Sequence, residues 1–204
     1  MEVHQEAVIA LIADFVLLLI LIVLGFAVYT HIASRPPRTF DEMLPYLRIG
    51  DLNEVRHLLD PVDEGFLRLN LSIADFRKAQ HHRIHLLSEL LTRMSHNARF
   101  LHDWARGEQH KSWKTMNCAT RAASRELIGY CVTFRFATFV AQIRLRVWAF
   151  RISMLRFAPV PIIADIRHLV GTDIPYTYER IKATALTLGN ACGGEYQQSL
   201  SEVL

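Results

Sequence analysis

The sequence predicts an all-α protein: a single N-terminal transmembrane helix followed by a cytoplasmic helical bundle with one long heptad-patterned helix. Three observations carry that expectation. Residues 7–30 form an apolar run with one charged side chain, Asp14. Residues 73–106 hold neither Gly nor Pro and repeat their apolar positions with a helical period. Residues 119–157 contain no Pro and no turn cluster, so successive strands there would lack the turns that join them. With 204 residues, 51% of them hydrophobic and 21% charged, the chain has room for an anchor and one modest domain, and its composition is not that of a disordered protein.

Ala7–Thr30 would span about 36 Å at 1.5 Å per residue, enough for a hydrocarbon core of about 30 Å with some tilt. Tyr29 lies at its end, where an interfacial aromatic belongs. A cleaved signal peptide needs a basic start, a shorter apolar core and a small-x-small cleavage site. Here Glu2 and Glu6 make the start acidic, the core is too long, and Thr30-His31-Ile32-Ala33 is a poor site. Residues 1–33 are therefore expected to be an uncleaved anchor. No Lys or Arg precedes Arg35, and Arg38 follows it closely. The positive-inside rule then places the protein in the cell membrane as a single-pass chain, N-terminus outside and C-terminal domain cytoplasmic. Asp14 sits about two turns inside the run. It serves either as an intramembrane polar contact with another transmembrane helix or as a carboxyl that reaches the outer headgroups.

Residues 34–38, with Pro36 and Pro37, read as a short stiff linker. Residues 39–190 read as the helical domain, and 191–204 as a Gly-containing loop with a polar tail. Thr39 and Glu42 match a capping box, and Pro45 shortens or kinks the helix they open. Asp51 caps a helix over Leu52–Leu59, stopped by Asp60-Pro61. Ser72 and Asp75 mark the start of a helix over Ile73–Arg106, about 51 Å long if straight. Its apolar positions Ile84, Leu87, Leu91, Met94, Ala98, Leu101 and Ala105 step alternately by three and four, a heptad seam widened by Leu90 and Trp104. Such a seam must be buried, and an antiparallel partner over Ala119–Phe157 is the expected cover. The inner part of that partner is apolar on most faces, with Arg135, Thr138, Gln142, Arg146, Ser153 and Arg156 near one stripe. Shorter helices are expected over Ile162–Val170, ending at Gly171, and over Pro175–Leu188, ending at Gly189. A last one falls within Glu195–Leu204.

The most chemical-looking passage is Gln80–Glu89, with three histidines and a glutamate in ten residues. His82, His85 and Glu89 share one helix face and supply the ligand types of a metal site. The same face continues as Lys78, Thr92, His96, Arg99 and Asp103, which is the pattern of a solvated helix back. The order also lacks the H-E-x-x-H arrangement in which a general base stands between two ligands. Cys118, Cys131 and Cys192 are odd in number and form no C-x-x-C pair, so neither a disulfide framework nor a zinc ribbon is indicated. Cys192 precedes Gly193-Gly194, a thiol on a turn, but nothing fixes a general base for it. No nucleophile elbow, phosphate loop or dinucleotide fingerprint is present.

The remaining signal is electrostatic. Residues 31–204 carry 23 basic groups against 17 acidic ones. No acidic residue occurs between Glu126 and Asp165, while Arg135, Arg144, Arg146, Arg151 and Arg156 all do, interleaved with Phe and Trp. A basic, aromatic helix on a tethered domain fits contact with an anionic leaflet or a protein partner. The competing reading is a core helix whose arginines snorkel or pair with neighbouring acids. Nucleic acid is disfavoured, because no recognised module or open Lys/Arg face is evident. The sequence thus points to a membrane-anchored, non-enzymatic adaptor or assembly protein without a cofactor. Its expected partners are the lipid bilayer and a protein, or a second copy of itself through its helices. The alternatives are a metal-dependent enzyme or sensor using His82, His85 and Glu89, and an accessory subunit of a membrane complex recruited through Asp14.

Overall fold

The computed structural model describes residues 24–25, 39–48, 52–115, 117–154 and 173–203. The chain divides into two compact units, Met1–Pro36 and Pro37–Leu204. In the first unit only Leu24 and Gly25 are described, both helical, so the expected span 7–30 and Asp14 lie essentially outside the described residues. No helix among the described residues is long and apolar enough to cross a membrane. The second unit is all-helical, with no strand among its described residues.

The helices are α1 (Phe40–Met43), continued by a 3₁₀ turn at Leu44–Tyr46, α2 (Leu52–Leu58), α3 (Pro61–Asn70), α4 (Ile73–Thr115), α5 (Cys118–Met154), α6 (Asp173–Cys192) and α7 (Gly194–Val203). Their starts follow local chemistry. The expected capping box is present at the start of α1, with the Thr39 N–H donating to the Glu42 carboxylate at 3.2 Å. Pro45 turns the next residues into the 3₁₀ segment, since its ring excludes a continuing α-helix. Ser72 Oγ accepts from the Asp75 N–H and donates to the Asp75 carboxylate at 2.6 Å, opening α4. Asn117 Oδ1 accepts from the Thr120 N–H at 3.2 Å and opens α5.

α4 and α5 form an antiparallel hairpin that is the body of the unit. Every residue of the expected seam, from Ile84 to Ala105, is no more than 2% exposed. Gln142 donates to Thr92 at 3.0 Å in the middle of the pair, and Arg121 donates to the Ser112 carbonyl near its closed end. Leu127, Cys131, Phe134, Ala141 and Leu145 supply the matching face of α5. α6 packs on α5, with Tyr178 against Phe134 at 5.2 Å between ring centroids. α7 folds back on α6. Phe40 of α1 stacks on Tyr196 of α7 and meets Trp104 of α4 edge-on at 5.5 Å, closing one end of the core.

Three boundaries depart from the sequence expectation. α4 runs through Gly107 to Thr115 instead of ending at Arg106. A helical glycine costs about 1 kcal/mol; the turns beyond it are held by Lys111 donating to Glu108 at 2.8 Å and by Arg121 donating to the Ser112 carbonyl at 3.3 Å. α6 likewise passes Gly189 and ends at Cys192. A Cβ on Gly189 would approach Gln197 N and Leu200 Cδ1 to 3.2 Å, so this glycine permits the close return of α7 rather than ending α6. The turn belongs to Gly193, whose φ of +155° is strained for any L side chain. Finally, Asp60-Pro61 both ends α2 and begins α3: Asp60 accepts from the Val62 N–H at 2.9 Å and Pro61 takes the first helical position. The expected helix at 162–170 lies outside the described residues.

Candidate functional site

His82, His85 and Glu89 all project from the exposed face of α4. Glu89 is engaged by Arg93 one turn on, at 2.6 Å. Among the described residues no group of three His, Cys, Asp or Glu side chains is placed to hold a metal ion. The row does not stay solvated along its whole length. His96 reaches the Tyr46 carbonyl at 3.1 Å and tilts against Phe100, while Asp103 is buried and bonds the ring of buried His102 at 3.1 Å. The 3₁₀ turn covers this half of α4, with Tyr46 stacked on Phe100 at 5.2 Å.

Asn97, fully buried, is the polar centre of that cover. It accepts from the Arg48 N–H at 2.9 Å and donates to the Arg48 carbonyl at 2.6 Å and the Tyr178 hydroxyl at 3.0 Å. One amide therefore ties the N-terminal layer to α4 and α6. Burial, its largest influence, raises the Tyr178 pKa.

Two of the three thiols are arranged for inertness. Cys131 is wholly buried, and burial pushes its thiol far up. Cys192 is pushed up to about 12, first by burial and then by the neighbouring Glu108 carboxylate, to which it donates at 3.7 Å. Glu108 also accepts from Lys111 at 2.8 Å. A thiol facing a carboxylate stays protonated at neutral pH, so Cys192 is a structural donor here and not an activated nucleophile.

α5 is the element whose exposed surface needs an explanation. At 100° per residue, Val132, Phe136, Ile143, Val147 and Phe150 fall within about 60° of one another, opposite the core face. Phe136 is 63% exposed and Phe150 61%, with Val132 and Val147 also open. Arg144 and Arg146 flank this stripe on opposite sides, both exposed, and neither has a carboxylate partner among the described residues. Arg135 is half-buried and makes contacts of its own. The side chain of Arg151 and all of Arg156 lie outside the described residues.

The polar stripe read from the sequence is only partly outward, with Arg146 and Ser153 exposed. Thr138 is fully buried and donates to the Phe134 carbonyl, and Gln142 is spent on Thr92. The helix is apolar on two opposite faces, and the described residues leave one of them uncovered. The spacing of Val132, Phe136, Ile143, Val147 and Phe150 was the signal for it. A second outward apolar face went unread: α3 buries Glu64 against Gln80 at 2.9 Å and exposes Val62, Phe66 and Leu69.

No family model matches the chain, and neither does a curated protein or a solved structure.

Proposed function

We propose that this chain is a membrane-tethered, non-enzymatic helical adaptor whose bundle rests on the anionic cytoplasmic leaflet through the outer face of α5. The apolar run 7–30 supplies the tether, and Arg35 and Arg38 set the N-out orientation. The observation that carries the docking surface is the exposed Val132–Phe136–Val147–Phe150 stripe, on the side of α5 away from the core, between Arg144 and Arg146, neither of which has a carboxylate partner among the described residues. Soluble monomers rarely leave a contiguous apolar stripe of this kind open, and one rimmed by charge marks a contact surface. An Arg near an anionic leaflet contributes about 1 kcal/mol, and partial insertion of two Phe and two Val side chains adds a few more. A surface of this strength suits reversible docking of a domain that is already tethered.

Flotation of the fragment 39–204, which lies within the compact second unit, tests this directly. It should rise with vesicles containing phosphatidylglycerol and stay behind with phosphatidylcholine alone. Phe136→Asp/Phe150→Asp, placed at exposed positions, should abolish flotation without changing the melting temperature. Equal behaviour on both vesicle types would remove the leaflet as the partner, and a fragment that dimerises through the same stripe would assign it to a second copy instead.

A further inference from the structure

Two apolar features meet at the open end of the α4–α5 hairpin. The first is α3, which is folded inside out. An amphipathic helix ordinarily buries its apolar face. Here Glu64 points inward to Gln80, while Val62 is 74%, Phe66 66% and Leu69 87% exposed. At 100° per residue these three fall within about 60° of one another, a single stripe on the side away from Glu64. The second is a cavity of about 680 Å³ between the first turns of α4 and the last turns of α5. Ile73, Ala74 and Ile152 are its apolar lining, and Arg77, Lys78 and His81 its basic lining. No residue of α3 lines it, so the outward stripe of the chain's own α3 does not fill it.

A knob and a hole of the same chemistry thus lie side by side. Only Leu71 and Ser72 separate α3 from Ile73, which lines the cavity and is itself 81% exposed. Such a surface is self-complementary. About a two-fold axis between the two features, the knob of each copy enters the hole of the other and the pair closes. The cavity lies in the range that admits small organic molecules, about 300–1,000 Å³, and so has room for a Phe and a Leu side chain. Charge sets the direction of entry. α3 carries Asp63 in its first turn and Arg68 in its last, both exposed. The cavity lining holds two cations and a histidine but no acid, and Asp75 beside it offsets only part of that charge. A partner's α3 therefore enters with its acidic end toward the basic lining and its Arg68 end away from it. The attraction is between whole surfaces and leaves the existing partners of Arg77 and Lys78 in place. An anionic leaflet would instead repel Asp63, so a second copy fits this face better than lipid does.

We propose that two copies of this chain pair about a two-fold axis at the open end of the hairpin, the Val62–Phe66–Leu69 face of α3 in each filling the α4–α5 cavity of the other. The two reciprocal contacts together bury on the order of 1,000 Å², the lower end of specific interfaces, so the dimer is weak and concentration-dependent. The pairing does not depend on leaflet docking by α5 and leaves that surface free. Tethering in one membrane would only raise the effective concentration of the two copies.

The test mixes two forms of the full chain in neutral detergent, both carrying Cys118→Ser, one with Leu69→Cys and the other with Ser153→Cys. Both positions are exposed, so neither change disturbs the core. A short bismaleimide should then give a dimer containing one copy of each form. Adding Phe66→Asp to the Leu69→Cys form should lower the yield by about tenfold or more. Asp63→Lys should lower it several-fold at low salt. Neither should change the melting temperature at dilutions where the chain is monomeric. Lys114→Cys, exposed at the closed end and about 60 Å from Ile73 along α4, replaces Ser153→Cys as the control and should give no dimer. A yield undiminished by Phe66→Asp would assign the dimer to another surface, such as the transmembrane run, and overturn the proposal. Equal crosslinking to Lys114→Cys would also overturn it. Crosslinking within one chain of the Leu69→Cys/Ser153→Cys variant would place α3 in its own cavity, against the proposal. No mixed dimer at any concentration would leave the α3 face to a leaflet or another protein, and would overturn it as well.

Discussion

Asn97→Ala removes the amide that joins three parts of the bundle. Three hydrogen bonds vanish, two to the Arg48 backbone and one to the Tyr178 hydroxyl. A net contribution of about 1 kcal/mol each gives about 3 kcal/mol, and the desolvation left at the buried Tyr178 hydroxyl raises this toward about 4 kcal/mol. For a domain of this size each kcal/mol moves the melting temperature by about 2–4 °C, so a fall of about 6–16 °C is expected. The loss should be local before it is global. Arg48 is exposed and bonded through its backbone to Asn97, so trypsin cleavage after Arg48 should accelerate well below the melting temperature. Asn97→Asp should be no better: it keeps an acceptor for the Arg48 N–H but cannot donate to the Arg48 carbonyl or to Tyr178. A melting temperature within about 1 °C of wild type, with unchanged cleavage after Arg48, would refute the tie between the N-terminal layer and the core.

Other expectations separate the buried surfaces from the open ones. Phe66→Asp and Leu69→Asp, on the outward face of α3, should change stability by less than about 0.5 kcal/mol. Leu87→Ala, in the seam, should cost about 2–5 kcal/mol in the same thermal melts. Alkylation at pH 8 should modify exposed Cys118 rapidly and Cys192 slowly, and Glu108→Gln should speed Cys192 by removing the carboxylate that opposes its ionisation. Cys131, Cys192 and Tyr178 all have folded-state pKa values above their unfolded ones. Above the unfolded thiol pKa, about 8.5, the native state therefore holds protons that the unfolded chain has released, and stability must fall as pH rises. For Cys192 the falling limb extends to about pH 12, and Cys192→Ala should flatten it. Stability that stays level from pH 8 to 10.5 would contradict this.

The long-range architecture was legible because one pattern dominates it. A seam of alternating threes and fours from Ile84 to Ala105 can be satisfied only by a long partner, and the chain writes one immediately afterwards. The partner's second face was harder to read, because a helix apolar on opposite sides has no period that says which side meets the core. α3 escaped notice because Asp60-Pro61 is written the same way for a stop and for a start, and its apolar spacing points away from the bundle. The histidine row was legible only in its first half. Seven-residue steps drift by about 20° per repeat on a straight α-helix, and Phe40 and Tyr46, far away in sequence, cover the second half. His82, His85 and Glu89 stay on the wet side, and His96 and Asp103 become structural.

The central claim is that the outer face of α5 meets an anionic leaflet. A nitroxide on Val147→Cys, in the full chain with Cys118→Ser and reconstituted in vesicles, reports it through collision with oxygen and with a water-soluble nickel complex. A nitroxide on His85→Cys, on the exposed face of α4, is the aqueous reference. In phosphatidylglycerol-containing bilayers the label at 147 should be shielded from nickel and open to oxygen, and in pure phosphatidylcholine it should resemble the label at 85. A label at 147 as open to nickel as the label at 85 in both bilayers would contradict the account.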